Sequence, residues 1–239
     1  MYNKLSYKFI DNSSQEVVVF LHGWGLSGDS FGKIISRLDN GKSILVVDLF
    51  GFGSSPQPQN YFDTYEYAYQ IFLLIKKLCL RKIILVGHSF GGRLSILLSS
   101  IFNVNVKVLV LCACAGLNRF SFVKWLKIKK YKIVKWCVNK KIINVSVLQK
   151  YGSVDYLKSN HIMRGVLKRV VNQDLRKWIH QINSECKLVW DVRDKETPYW
   201  ICKKIYRTLK SVSVVKYAFG GHFAIFCNID KFSNLINKL

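Results

Sequence analysis

Short β-branched and largely apolar runs recur at residues 17–21, 44–48, 83–86, 106–112, 187–190 and 213–217, and between several of them apolar residues repeat at helical spacing. Runs that do not alternate with polar residues are expected of strands covered on both faces. Strands alternating with helices in turn imply an α/β fold with a doubly wound, mostly parallel sheet. Asp63 followed by Glu66 predicts a capping box, opening a helix whose inner face carries Tyr67, Ile71, Leu74, Ile75 and Leu78. A second helix is predicted over residues 93–102. From about residue 116 the alternation stops, and no comparable strand returns until Lys187. The chain therefore divides into a core, residues 1–117 and 185–239, and an inserted helical cap, residues 118–184. Three or four cap helices are expected over the carboxyl end of the sheet, where open α/β sheets bind ligands.

The sharpest local signal follows the third run. Gly87-His88-Ser89-Phe90-Gly91-Gly92 after Ile83-Ile84-Leu85-Val86 fits a serine thrust out on a tight turn between a buried strand and a helix, the nucleophile elbow. Glycine is needed two residues either side of that serine, because a side chain there would strike crowded backbone. Serine needs a base to take its proton and an acid to orient that base. Downstream, an acid-bearing segment from Trp190 to Pro198 follows one strand and Gly220-Gly221-His222-Phe223 follows the last. The order serine, acid, histidine is the one this architecture uses. An oxyanion would need two preorganised N–H donors. Phe90, at the start of the helix, supplies one. His22-Gly23-Trp24-Gly25 supplies the other, its flanking glycines letting the Trp24 N–H turn inward.

Composition narrows the field without naming a substrate. The 239 residues are 50% hydrophobic and 21% charged with only three prolines, as suits one globular domain with an insertion. No 18-residue apolar window and no signal-peptide pattern is present in the first sixteen residues, so a cytoplasmic protein is expected. Seven cysteines without a C-x-x-C pair read as reduced thiols, with Cys79, Cys112, Cys114 and Cys227 in apolar surroundings. Cys112 and Cys114, two apart on a strand, would face the same side. No metal spacing accompanies them, and neither a metal nor a cofactor is expected. Gly51-Phe52-Gly53 lacks the third glycine of a dinucleotide fingerprint, and no Gly-Lys-Ser or Gly-Lys-Thr marks a phosphate loop.

The net charge of +23 is the feature that function does not absorb. Residues 119–177 hold sixteen Lys or Arg against Asp155 and Asp174, leaving +14 there. An AT-rich coding composition, favouring Lys, Asn and Ile, would give the same excess without a partner. In the stretch Phe122 to Trp136, aromatics and cations interleave as in an interfacial helix. The favoured reading puts Phe122, Trp125, Leu126, Ile133, Trp136 and Cys137 against the domain, with the lysines solvated. Should the basic face act, an anionic membrane surface or an acidic carrier protein are the partners to test. The balance is against nucleic acid.

Taken together, Leu21-His22-Gly23-Trp24-Gly25, the segment from Asp48 to Pro56, Val86 to Gly92, Trp190 to Pro198 and Gly221-His222-Phe223 resemble the α/β-hydrolase superfamily over nearly the whole chain. Parts of the insertion, Tyr151 to Tyr156 and Val171 to Leu175, resemble small bacterial hydrolases of that fold. The HGWG tetrapeptide is similar to that of pimeloyl-carrier-protein methyl esterases. By this resemblance Ser89 is the nucleophile, His222 the base and Asp194, counted back from Pro198, the acid. One departure stands out: the family usually has glycine after the tryptophan where this chain has Asp191, so Asp191 is the reserve acid. The resemblance implies hydrolysis of a carboxylic ester or thioester through an acyl-enzyme. A carbon–carbon bond hydrolase of the same fold and a non-catalytic basic binding protein are the alternatives.

Overall fold

The protein is described by a computed structural model covering residues 4–102, 104–118, 122–144, 146–147 and 153–239. Within residues 122–128 only the Leu126 side chain is described. In chain order the elements are β1 (Tyr7–Ile10), β2 (Glu16–Leu21), α1 (Gly32–Ile35), β3 (Ser43–Val47), α2 (Thr64–Lys77), β4 (Lys82–His88), α3 (Phe90–Ser100) and β5 (Val106–Cys112). After β5 come four helices, α4 (Phe122–Asn139), α5 (Val154–Lys158), α6 (His161–Asn172) and α7 (Arg176–Ile179). The chain closes with β6 (Glu185–Asp191), α8 (Trp200–Thr208), β7 (Val212–Tyr217), α9 (Ala224–Cys227) and α10 (Ile229–Asn237).

Seven strands form one sheet in the order β1-β3-β2-β4-β5-β6-β7, parallel except for β1, which pairs antiparallel with β3. Successive side chains of a strand point to opposite faces, and here both faces are covered. Val17, Val19 and Leu21 of β2 join a core with Tyr67 and Ile71 of α2, Leu94 and Leu97 of α3, Val166 of α6 and Ile205 of α8. Val18 and Phe20 point the other way, into Ile34 of α1 and Phe232 and Ile236 of α10. This is why the central strands read as unbroken apolar runs.

Three expectations need correction. The helix behind the serine begins at Phe90 rather than Arg93, because the turn passes directly into helix. Cys112 and Cys114 do not share a face: β5 ends at Cys112, Ala113 takes φ 44, and the two thiols enter opposite cores. Cys79 and Cys227 are exposed rather than buried, Cys79 falling just beyond the end of α2 and Cys227 closing α9.

Three members of the expected inner face of α4 turn outward, while Cys137 is half-buried as expected. Leu126, Ile133 and Trp136 are exposed, and Tyr131, Val134, Cys137 and Val138 are the half-buried positions. The Phe122 and Trp125 side chains lie outside the described residues, as does part of the Tyr151 to Tyr156 segment. Of the rest, α6 and α7 are tied to the core most firmly. The Arg93 guanidinium, itself buried, donates to the carbonyls of Val170 and, at 2.6 Å, Gln173, where α6 ends. The Gln173 side chain in turn accepts from the Thr64 N–H at 2.8 Å, and Leu175 N–H donates to Gly116 O at 2.8 Å. Among the described residues no helix is long and apolar enough to cross a membrane.

Candidate active site

Ser89 stands between β4 and α3 with φ 50 and ψ −105, a backbone state that non-glycine residues pay to adopt. The surroundings hold it there. Its N–H donates to Cys112 O at 2.9 Å, and its carbonyl accepts from Ala115 N–H at 3.2 Å. A Cβ on Gly87 would lie 2.7 Å from Gly91 O, and one on Gly91 would overlap the Leu21 carbonyl. Both glycines are therefore required by close backbone approach.

The strand order carries two further groups to the same carboxyl edge. Asp191 ends β6, and the turn after it places Asp194; β7 leads into the turn bearing His222. His222 Nε2 lies 2.9 Å from Ser89 Oγ, and His222 Nδ1 lies 2.9 Å from Asp194 Oδ2. With Nδ1–H donating to the carboxylate, Nε2 is left to accept the serine proton. Asp194 also accepts from the Glu196 N–H at 2.8 Å, the Thr197 N–H at 2.9 Å and the Thr197 hydroxyl at 2.7 Å. Burial pushes this carboxyl up, but the hydrogen bond and charge of His222 and the Thr197 donors outweigh it and hold the pKa below the ordinary carboxylate value. The loop itself is pinned by Trp190, whose buried indole N–H donates to Thr197 O at 2.8 Å.

Asp191 has a different task. Its carboxylate accepts from Arg193 N–H at 2.8 Å and from Gly221 N–H at 2.9 Å, so it braces the residue just before His222. His88 braces the same turn from the other side. Its Nε2–H donates to His222 O at 2.9 Å, and burial, reinforced by the neighbouring His222, pushes the imidazole down to about 3. A neutral His88 thus links the elbow to the turn bearing His222. Thr197 and Glu196 were not singled out in the sequence. Glu196 Oε2 comes within 3.5 Å of His222 Nε2, with a side chain 62% exposed. Their position between Asp194 and Pro198 was the only signal.

Two backbone segments adjoin the serine: Phe90 follows it directly, and Gly23, just before Trp24, lies close enough that a Cβ there would come within 3.3 Å of Ser89 Cβ. Leu26 N–H donates to Gly23 O at 3.2 Å with Gly25 at φ 74, closing a turn around Trp24. Phe90 opens α3, where an N–H has no carbonyl one turn back. The Trp24 and Phe90 rings meet at 5.6 Å between centroids. His22 fixes this turn: its Nδ1–H donates to Gly23 O at 2.8 Å and its Nε2 accepts from Leu49 N–H at 3.0 Å. Asp48 holds the adjoining loops by accepting from Gly28 N–H at 2.7 Å and Ser54 N–H at 2.8 Å. Among the described residues no group of three or more His, Cys, Asp or Glu side chains could hold a metal ion.

A serine on a strained strand-to-helix turn, at the carboxyl edge of a doubly wound sheet with one antiparallel outer strand, defines the α/β-hydrolase class. Residues 16–128 match the family model described as the alpha/beta hydrolase fold, and the chain has the α/β-hydrolase fold. It is 24% identical to the uncharacterised hydrolase YugF of Bacillus subtilis (strain 168), covering 90% of this chain and 86% of that protein. It is 27% identical to the pimeloyl-[acyl-carrier protein] methyl ester esterase of Wigglesworthia glossinidia brevipalpis, covering 90% and 92%. Among solved structures, an esterase from Exiguobacterium antarcticum superposes with a TM-score of 0.77 at 20% identity, covering 99% of this chain and 95% of that one.

Proposed function

We propose that the protein is a serine hydrolase that cleaves a carboxylic ester or thioester through an acyl-enzyme. The observation that carries this is the continuous relay Ser89 Oγ, His222 Nε2, His222 Nδ1, Asp194 Oδ2, with 2.9 Å at both junctions. Ser89 Oγ attacks the acyl carbonyl while His222 Nε2 takes its proton, and Asp194 stabilises the imidazolium that results. The negative charge passes to the carbonyl oxygen, received by the Trp24 and Phe90 N–H groups. His222 then protonates the departing alcohol or thiol, the carbon–oxygen or carbon–sulfur bond breaks, and Ser89 is left acylated. Water, deprotonated by the same imidazole, releases the acid and restores the hydroxyl.

The helical segment 118–184 is assigned the part of a cap over this site, and the substrate is a small acyl compound. The relative that acts on a pimeloyl carrier-protein ester supports the acyl reading in its coarse form. The test is turnover of p-nitrophenyl acetate and an acyl thioester beside a vinylogous diketone. Cleavage of the first two, abolished by Ser89→Ala, is expected. Cleavage of the diketone alone would assign the site to carbon–carbon bond hydrolysis, and turnover of none by the folded protein would remove the enzymatic reading.

A further inference from the structure

We infer that the outer face of α4 docks on an anionic phospholipid bilayer. This surface is independent of the proposed chemistry. At 3.6 residues per turn Leu126, Ile133 and Trp136 fall within an arc of about 80°, with Lys130 beyond one edge and Lys132 beyond the other. The half-buried positions run from Cys137, at the arc's edge beside Leu126, through Val134 and Val138 to Tyr131, so burial lies to one side of the apolar arc. The apolar arc faces outward: Leu126 is 46% exposed, Ile133 63% and Trp136 57%, and Ile142 in the turn beyond the helix is 63% exposed. Lysines 130, 132, 135, 140 and 141 are exposed around them.

Charge decides among occupants. From residue 119 to residue 154 there are ten cations and not one acid, so a second copy would set like charge against like. Nine of the ten are lysine. Protein interfaces are depleted in lysine and enriched in arginine, whereas lysine-rich helices with tryptophan and aliphatic anchors suit the boundary between headgroups and acyl chains. Each lysine near such a surface strengthens binding by about five-fold, and the effect is screened by salt.

The test is flotation of the full chain with vesicles of phosphatidylcholine alone and with about 30% phosphatidylglycerol. The protein is expected to float with the anionic vesicles only, and to release as salt rises from about 0.1 M to about 0.5 M. Ile133→Ser with Trp136→Ser is expected to weaken flotation at least about ten-fold, and Lys130→Gln with Lys132→Gln by about 25-fold. Both sets lie at exposed positions, so unchanged circular dichroism is expected alongside. Failure to float with anionic vesicles, equal flotation with neutral ones, or retention by both variants would overturn the inference. So would a parent dimer that Ile133→Ser with Trp136→Ser converts to monomer, or capture of an acidic carrier protein in preference to the vesicles.

Discussion

Replacement of Asp194 by asparagine exchanges one oxygen for an amide nitrogen, and the surroundings of that atom set the consequence. Oδ1 accepts the Glu196 and Thr197 N–H groups at 2.8 and 2.9 Å, bonds that an asparagine oxygen keeps. The new amide would take the place of Oδ2, 2.9 Å from His222 Nδ1. An amide nitrogen can only donate, so it forces the imidazole proton onto Nε2, the atom facing Ser89 Oγ. The base is then blocked while the fold is retained. Loss of the correct tautomer lowers kcat by about 10⁴-fold, or about 5 kcal/mol of transition-state stabilisation. Exchange of a charged for a neutral acceptor costs the fold about 1–2 kcal/mol. Asp191→Asn has the reverse profile, because among the described residues its carboxylate meets the Arg193 and Gly221 N–H groups and the exposed Arg193 side chain, not the imidazole. Activity within about ten-fold of the parent is expected there, with a stability loss of about 1–3 kcal/mol. The assay is kcat and KM for p-nitrophenyl acetate at neutral pH, with urea unfolding of each variant. Near-parental kcat in Asp194→Asn, or an equal collapse in a well-folded Asp191→Asn, would refute the assignment of the two acids.

Three further outcomes follow from packing and charge. Burial holds His88 at about 3, so its unfolded form takes up a proton below pH 6.5 that the folded form refuses; stability present above that pH is lost as pH falls. Urea melts should show about 2 kcal/mol less stability at pH 5 than at pH 7 from this group alone, and a flat response would contradict the buried neutral imidazole. Gly91→Ala should cost about 3 kcal/mol or more and abolish ester cleavage, since its Cβ meets the Leu21 carbonyl; a melting temperature like the parent's would disprove that contact. Arg93→Met should remove the charged donor from the carbonyls of Val170 and Gln173, which among the described residues keep only the Gln173 N–H at 3.2 Å and Asn118 Nδ2 at 3.4 Å, costing about 1–3 kcal/mol and opening the chain near residue 173 to protease. Unaltered proteolysis would show that α6 is held by other contacts.

Much of the core was legible because period-two burial on two covered faces leaves continuous apolar runs, and all six such runs lie on strands. The first strand was not: Tyr7–Ile10 has three exposed residues and pairs only along one edge, so it leaves no apolar run to read. The capping box at Asp63 and Glu66 was readable from three-residue spacing and is present with both its bonds. Cys112 and Cys114 misled because strand periodicity was carried past the strand's end, where Ala113 rotates the chain. The phase of α4 was ambiguous in sequence because apolar residues occupy two sides of the helix, and only packing distinguishes them. At the site, Ser89, His222 and Asp194 could be marked by motif and spacing. The bracing by His88 and Asp191 could not, since each acts on the backbone of a turn distant in sequence.

The central claim is that His222 activates Ser89 as a nucleophile, and covalent labelling with a fluorophosphonate probe tests it without a known substrate. Intact-mass measurement should show one phosphonyl adduct per chain, mapped to Ser89, with none on Ser89→Ala and sharply slowed labelling in His222→Ala. A folded parent that stays unlabelled, or a Ser89→Ala variant that labels equally, would contradict the account.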